Sequence, residues 1–223
     1  MSSEEIGRIN HRELDMWLKD NGYRYWCFIS WARDPRSEKF VTRLRDDLRA
    51  EFGLLFDLTD DVFLDTQHLE IGDKWANSIA RSICSSVCML AVCTPRYISP
   101  LHKYCGREFA GMDGLGRKRF RGKIVHPILP VLYRGPNDMH PKIRKLQGFD
   151  ISQEATLSFE IHRRAVFKHM IKEIVEKAIE LASLLKDAAV TASCGDFHLP
   201  EHSAFENWGP ARPGLPTRLG ERQ

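Results

Sequence analysis

A chain of 223 residues, 43% hydrophobic and 28% charged, is long enough to bury one core of ordinary domain size. Its net charge of +3 is too small to argue for a protein that binds nucleic acid directly. No apolar run approaches the roughly 20 residues of a membrane helix, and the polar opening MSSEEIGRINHREL lacks a signal core, so a cytoplasmic protein without membrane contact is expected.

In chain order, residues 1–22 read as a polar N-terminal extension with one short helix around Glu13–Asp20. Tyr25–Trp31 (YWCFISW) is apolar on both faces, as a parallel strand covered by helices must be. Asp34 and Pro35 break it. Ser37 can cap a helix to about Phe52, with Phe40, Leu44 and Leu48 on one stripe. Val62–Leu64 is a second strand closed by Asp65, and Thr66–Gly72 a polar loop. Asp73 can open a helix to about Ser82, and Val87–Cys93 is a third strand. Lys103–Met112 reads as a helix ended by Gly111 and Gly114, followed by a solvated basic loop over 116–122. Ile124–Tyr133 is a fourth strand, and Pro127 and Pro130 should weaken its pairing on one side. Leu146–Ile151 is a short fifth strand, and residues 159–186 form a long amphipathic helix. Residues 188–223, rich in Gly, Pro and small side chains, read as a flexible tail.

Strand–helix alternation of this kind indicates a doubly wound, flavodoxin-like five-stranded parallel sheet with a long C-terminal helix, spanning residues 23–187. Ligands of such sheets sit at the carboxyl ends of the strands. Polar residues gather there in Ser30–Asp34, Asp65–Lys74 and Thr94–Glu108. Cys27, Cys88 and Cys93 lie in apolar runs and serve as small hydrophobes. Cys84, Cys105 and Cys194 complete a set expected to be reduced thiols. No zinc-type CxxC pair stands among the six, and neither Cys84 with Cys88 nor His198 with His202 makes a metal set. The last strongly patterned stretch is Tyr104-Cys105-Gly106-Arg107-Glu108, where Tyr104 and Glu108, four apart, share one helix face.

Four of these segments, in order, resemble the boxes of the Toll/interleukin-1 receptor (TIR) domain, over about residues 24 to 185. They are Cys27-Phe28-Ile29-Ser30-Trp31-Ala32; Val62-Phe63-Leu64-Asp65 with Gly72-Asp73-Lys74-Trp75; Leu90-Ala91-Val92-Cys93-Thr94-Pro95-Arg96-Tyr97; and Tyr104-Cys105-Gly106-Arg107-Glu108-Phe109. The fourth resembles the family's Trp-Cys-x-x-Glu-Leu, with Tyr104 in place of tryptophan. The details are similar to bacterial TIR proteins.

The resemblance implies a TIR enzyme that cleaves NAD+ at the nicotinamide–ribose bond, giving nicotinamide and ADP-ribose or a cyclic isomer. Glu108 takes the catalytic position. Ser30, Trp31, Ala32, Arg33, Asp65, Trp75, Tyr104 and Cys105 are the implied substrate-binding residues. NAD+ is substrate, and no resident cofactor is implied. The resemblance also implies self-association with other TIR domains, with Thr66–Asp73 matching the contact loop, and a separate sensor or effector partner in defence signalling. A non-enzymatic TIR adaptor is the alternative. A phosphoacceptor receiver domain is set aside, because its third strand would end in Asp and this one ends in Cys93-Thr94.

Overall fold

Two strands buried on both faces organise the molecule. In the computed structural model, which describes residues 10–56, 62–64, 73–97, 103–135, 140–157 and 160–201, with the side chains of 73–75, 103, 156 and 157 excepted, β1 (Tyr25–Trp31) and β3 (Ser86–Cys93) form the centre of the sheet. Every residue of β3 is buried, which accounts for its lack of any polar–apolar alternation. β2 (Val62–Leu64) pairs with the other side of β1, β4 (Ile128–Leu132) with β3, and β5 (Phe149–Asp150) with β4. All pairs are parallel, in the order β2-β1-β3-β4-β5. The chain therefore has the doubly wound, flavodoxin-like five-stranded sheet that its alternation predicts.

Helices cover both faces. α1 (His11–Asp20), α2 (Pro35–Gly53) and α7 (Ala165–Asp187) bury Leu14, Leu18, Val41, Leu44, Leu48, Ile174 and Leu181 with Cys27, Ile29, Leu90 and Val92 on one side. α3 (Asp73–Cys84) and α4 (Lys103–Arg119) pack Ile79, Ile83, Phe109 and Met112 on Phe28, Met89, Ala91 and Cys93 on the other. Two short helices, α5 (Pro141–Arg144) and α6 (Ser152–Leu157), and a 3₁₀ turn (Ile161–Arg163) link β4 to α7. Among the described residues, no helix is long and apolar enough to cross a membrane.

The structure differs from the sequence reading in several places, each with a local cause. α2 begins three residues early, because Asp34 rather than Ser37 is its cap: the Asp34 carboxylate accepts from the Arg36 N–H at 3.0 Å, and Pro35 occupies the first turn. α4 runs through Gly111, Gly114 and Gly116 instead of stopping. Two of these glycines are contact sites: a Cβ on Gly116 would lie 2.6 Å from Pro127 Cδ, and one on Gly111 would lie 3.1 Å from Leu199 Cδ2. The basic stretch 116–122 is thus mostly helix, and Arg119 is buried, not solvated. The fourth strand is shorter than Ile124–Tyr133, and β4 pairs with β5 through only Val131↔Phe149 and Leu132↔Asp150. The long helix begins at Ala165, preceded by extended Arg164; its expected start at Phe159 lies outside the described residues.

The first part of the expected flexible tail is folded. α7 ends in a Schellman turn, with the Val190 N–H on Leu185 O and the Ala189 N–H on Lys186 O, and Ala189 takes φ 49°. The chain then returns along the domain as a strap. The Ala192 N–H meets Asn21 O at 2.9 Å, Leu199 is buried, and the Arg107 Nε–H donates to Pro200 O at 2.7 Å. Cys194 forms a disulfide with Cys84, Cα–Cα 5.6 Å, which corrects the expectation of reduced thiols throughout. The two cysteines are 110 residues apart, so no spacing motif could have paired them. Cys27, Cys88, Cys93 and Cys105 are in no disulfide and are buried.

Candidate functional site

The polar cluster at the carboxyl end of the sheet is assembled by two strand–helix units, with Ser30 from β1 and Tyr97 and Glu108 from β3 and the helix that follows it. Ser30 lies near the end of β1, with its Cα opposite Ala91 of β3, and is 1% exposed. Beyond β3, Thr94 closes a turn: its carbonyl accepts from the Tyr97 N–H at 2.9 Å and its hydroxyl from the Arg96 N–H at 3.3 Å. That turn directs Tyr97 inward, where it is fully buried. α4 then supplies Cys105, Glu108 and Phe109, all buried, from the side that packs on the sheet.

These side chains form a directed relay. The Tyr97 hydroxyl donates to Ser30 Oγ at 2.8 Å, and the Ser30 hydroxyl donates to Glu108 Oε2 at 2.5 Å, a short contact of the kind a carboxylate accepts. Glu108 is only 8% exposed, so this is a carboxylate held at a protein surface but largely withdrawn from water. Burial pushes the Tyr97 hydroxyl well above its ordinary range; the Cys105 and Cys93 sulfurs and the Glu108 charge push the same way, against the Ser30 hydrogen bond. Tyr97 therefore remains a donor at any physiological pH. Burial also raises the Cys105 thiol, reinforced by the negative charge of Glu108 and by Cys93, and opposed by a backbone hydrogen bond and the Arg33 guanidinium. A thiol so shifted is an apolar wall, not a nucleophile. Burial alone raises Cys93 beyond the usual thiol range.

The arrangement offers one oriented carboxylate beside a hydroxyl chain. It can hydrogen-bond a sugar hydroxyl or stabilise positive charge developing next to it. Tyr104, one helical turn before Glu108, is 39% exposed and presents its ring to solvent with the Arg107 guanidinium 5.9 Å from the centroid. Arg33 is exposed on the loop after β1, and its charge acts on Cys105, so it belongs to the same end of the sheet. Ala32 is buried in the core on the Glu108 side of the sheet. An ion pair of 3.5 Å between Arg96 and Asp34 ties the loop after β3 to the loop after β1.

Not every expected residue is brought together. Trp31 follows Ser30 in the strand, so its ring falls on the opposite sheet face and packs against the core of α1, α2 and α7. Asp65 lies outside the described residues, as does the side chain of Trp75, which is placed in α3 by its backbone. Tyr97 belongs to this cluster through its hydrogen bond to Ser30, and the sequence reading did not single it out. Its signal was its position at the end of the third box, four residues beyond a fully buried strand.

The profile described as "TIR domain" matches residues 27–165. Similar solved structures include the TIR domain of the Toll-related receptor TRR-2 from Hydra magnipapillata, with 16% identity, a TM-score of 0.45 and coverage of 68% of this chain and 98% of that one. Another is the set of TIR domains in the activated Roq1 resistosome that directly recognises the pathogen effector XopQ, with 18% identity, a TM-score of 0.35 and coverage of 73% of this chain and 84% of that one. No curated protein matches the chain. With the family profile spanning more than half of the sequence, from β1 to the start of α7, the chain belongs to the TIR domain family.

Proposed function

We propose that this TIR domain is an NAD+ nucleosidase of bacterial type, with Glu108 as its catalytic carboxylate. The observation that carries the reading is the buried Glu108, held by the Ser30 hydroxyl with Tyr97 behind it. NAD+ contains its own leaving group, the cationic nicotinamide. Breaking its N-glycosidic bond leaves an oxocarbenium-like ribose. A single oriented carboxylate can bind ribose hydroxyls and stabilise that charge, without the carboxylate pair that most glycosidases need. Attack at the ribose C1 by water gives ADP-ribose; attack by a nucleophile of the same dinucleotide gives a cyclic isomer. Arg33, exposed at the same end, suits the diphosphate as a forked donor, and the Tyr104 ring suits stacking on a base.

The reading includes assembly. The loop Thr66–Asp73, most of it outside the described residues, is the segment by which one domain would complete its neighbour's site, and activity would serve cytoplasmic defence signalling through a separate sensor or effector. The test is to incubate the purified chain with NAD+ over a range of protein concentrations and to identify products by mass. Nicotinamide should be released at a rate that rises faster than linearly with protein. Glu108→Gln, nearly isosteric but uncharged, should abolish release while the far-UV spectrum and melting temperature stay close to those of the parent. An adaptor that only binds other TIR domains would release none at any concentration.

A further inference from the structure

The Cys84–Cys194 disulfide stands at the far end of the sheet from Glu108, and its surroundings differ from those of an inert cross-link. Cys84, at the end of α3, is 1% exposed, whereas Cys194 is half-buried and lines an open groove of about 680 Å³. The same groove carries the exposed arginines Arg24 and Arg81, together with Ser82 and Ser85, and among the described residues no acidic side chain lines it. On the buried side, the Arg119 guanidinium lies 4.0 Å from Cys84 Sγ. Its nitrogens donate to the carbonyls of Cys84 and of Ser86, the latter at 3.0 Å, and it lies over the Tyr23 ring at 5.2 Å. The Tyr23 hydroxyl in turn donates to Val190 O at the root of the strap. A buried cation next to one sulfur, and a cationic groove open to the other, make a disulfide whose two ends are chemically unequal.

We propose that Cys84–Cys194 is a reversible thiol–disulfide exchange site, opened by a small anionic thiol that docks in the Arg24/Arg81 groove, and that its opening frees the strap 190–201 from α4. The thiolate of the small molecule attacks the accessible Cys194 Sγ. The Sγ–Sγ bond breaks, and its electron pair leaves on Cys84, beside Arg119, which favours the departing thiolate. A second small thiolate attacks the mixed disulfide at the small-molecule sulfur, so that two small thiols are oxidised to one disulfide and Cys194 is released. Both protein thiolates then take protons from water. The consequence for the fold is local. The strap is fastened through Cys194 and rests on α4 at Gly111, where an added Cβ would lie 3.1 Å from Leu199 and 3.3 Å from Phe197, and at Arg107, which holds Pro200 O. Gly111 follows Glu108 by one turn of that helix, so the strap contacts the site helix one turn beyond Glu108. The inference does not rest on the chemistry proposed for Glu108, because its readouts are sulfur oxidation and strap exposure.

The test uses the full oxidised chain. Reduced glutathione, an anionic thiol, and cysteamine, a cationic one, are compared as rate constants per thiolate, with protein thiols counted by alkylation and intact mass. Glutathione should open the bond about tenfold faster, through steering by the two arginines. The preference should collapse toward unity in the Arg24→Gln/Arg81→Gln double variant, which alters only exposed side chains, and in roughly 1 M salt. Alkylation should fall on Cys194, and on Cys84 once the strap has left it, while Cys27, Cys88, Cys93 and Cys105 stay unlabelled. Amide exchange in 191–201 should speed up on reduction, and the Cys194→Ser variant should show the fast pattern with or without thiol. Equal rates for the two thiols in the parent chain, an air-purified chain that shows six alkylatable thiols once denatured, or a strap whose exchange is unchanged by reduction would each overturn the proposal.

Discussion

Glu108 is held by a chain of hydrogen bonds that runs from Tyr97 through Ser30 of β1 to its carboxylate, and the cost of breaking that relay can be stated. A hydrogen bond to a charged group contributes about 2 kcal/mol, so Ser30→Ala should slow NAD+ turnover roughly 30-fold if the bond matters at the barrier. Tyr97→Phe removes only the outer link and should slow it less, with Ser30 and Glu108 still paired. Single-turnover rates beside melting temperatures check both; equal rates for all three proteins would show the relay to be structural. Tyr104 gives a sharper contrast. The residue is 39% exposed, so truncating it empties no closed core position. Tyr104→Ala should therefore change stability by no more than about 0.5 kcal/mol yet cut activity strongly, whereas Tyr104→Trp should retain activity. A normal rate in the alanine variant would place the ring outside the site. Much of this site was legible in the sequence, since Ser30 and Glu108 lie in short boxes whose spacing is fixed by the strands. Tyr97 was not, because only the turn at Thr94 shows which way its side chain goes. Trp31 is the opposite case: neighbours in a strand point to opposite faces, so its ring packs on the other side of the sheet from Ser30.

At the scale of the element, α4 shows why helix ends are hard to read. A glycine in a helical pattern signals either a stop or a close contact, and the sequence does not say which. The structure separates the two within one helix. A Cβ on Gly116 would meet the Pro127 ring at 2.6 and 2.8 Å, and that ring cannot rotate away, whereas one on Gly114 would meet nothing within 4 Å. Gly114→Ala should accordingly stabilise the protein by about 0.5–1 kcal/mol, the ordinary gain of alanine over glycine in a helix. Gly116→Ala earns the same propensity term but should still destabilise by about 1–2 kcal/mol, because the clash dominates. Denaturant melts of the two variants check the difference in sign. The strands were legible for the converse reason: β1 and β3 are buried on both faces, so their apolar runs have no competing interpretation, while β5, two residues long, is defined by its partner β4.

Across the whole molecule, long-range closures tie the layers together, and these are what composition conceals. The strap 190–201 reads as a loose tail until Cys84, Asn21 and Arg107 are seen to hold it. A second closure joins α4 to the segment entering β4 through Asp113, whose carboxylate meets His126 Nε2 at 3.0 Å and Arg117 at 2.6 Å. The His126 hydrogen bond is the main reason that the Asp113 carboxyl is held below its ordinary value; burial opposes it, and the charges of Arg117, His126 and Lys142 add to it. A carboxyl whose folded value is depressed binds its proton more weakly folded than unfolded. Its contribution is therefore fully present above the unfolded value, about pH 3.9, and is lost as pH falls through the lower folded value. Asp113→Asn should thus be less stable than the parent at neutral pH, by about 1 kcal/mol for a charge-assisted bond partly open to solvent. The deficit should persist down to about pH 5 and shrink below pH 4, where the parent's own carboxyl becomes neutral. Urea midpoints for both proteins across that range measure the gap. A gap that stays constant with acidification would show that the contact acts through packing, and that the charge on Asp113 contributes nothing to holding α4 against the sheet.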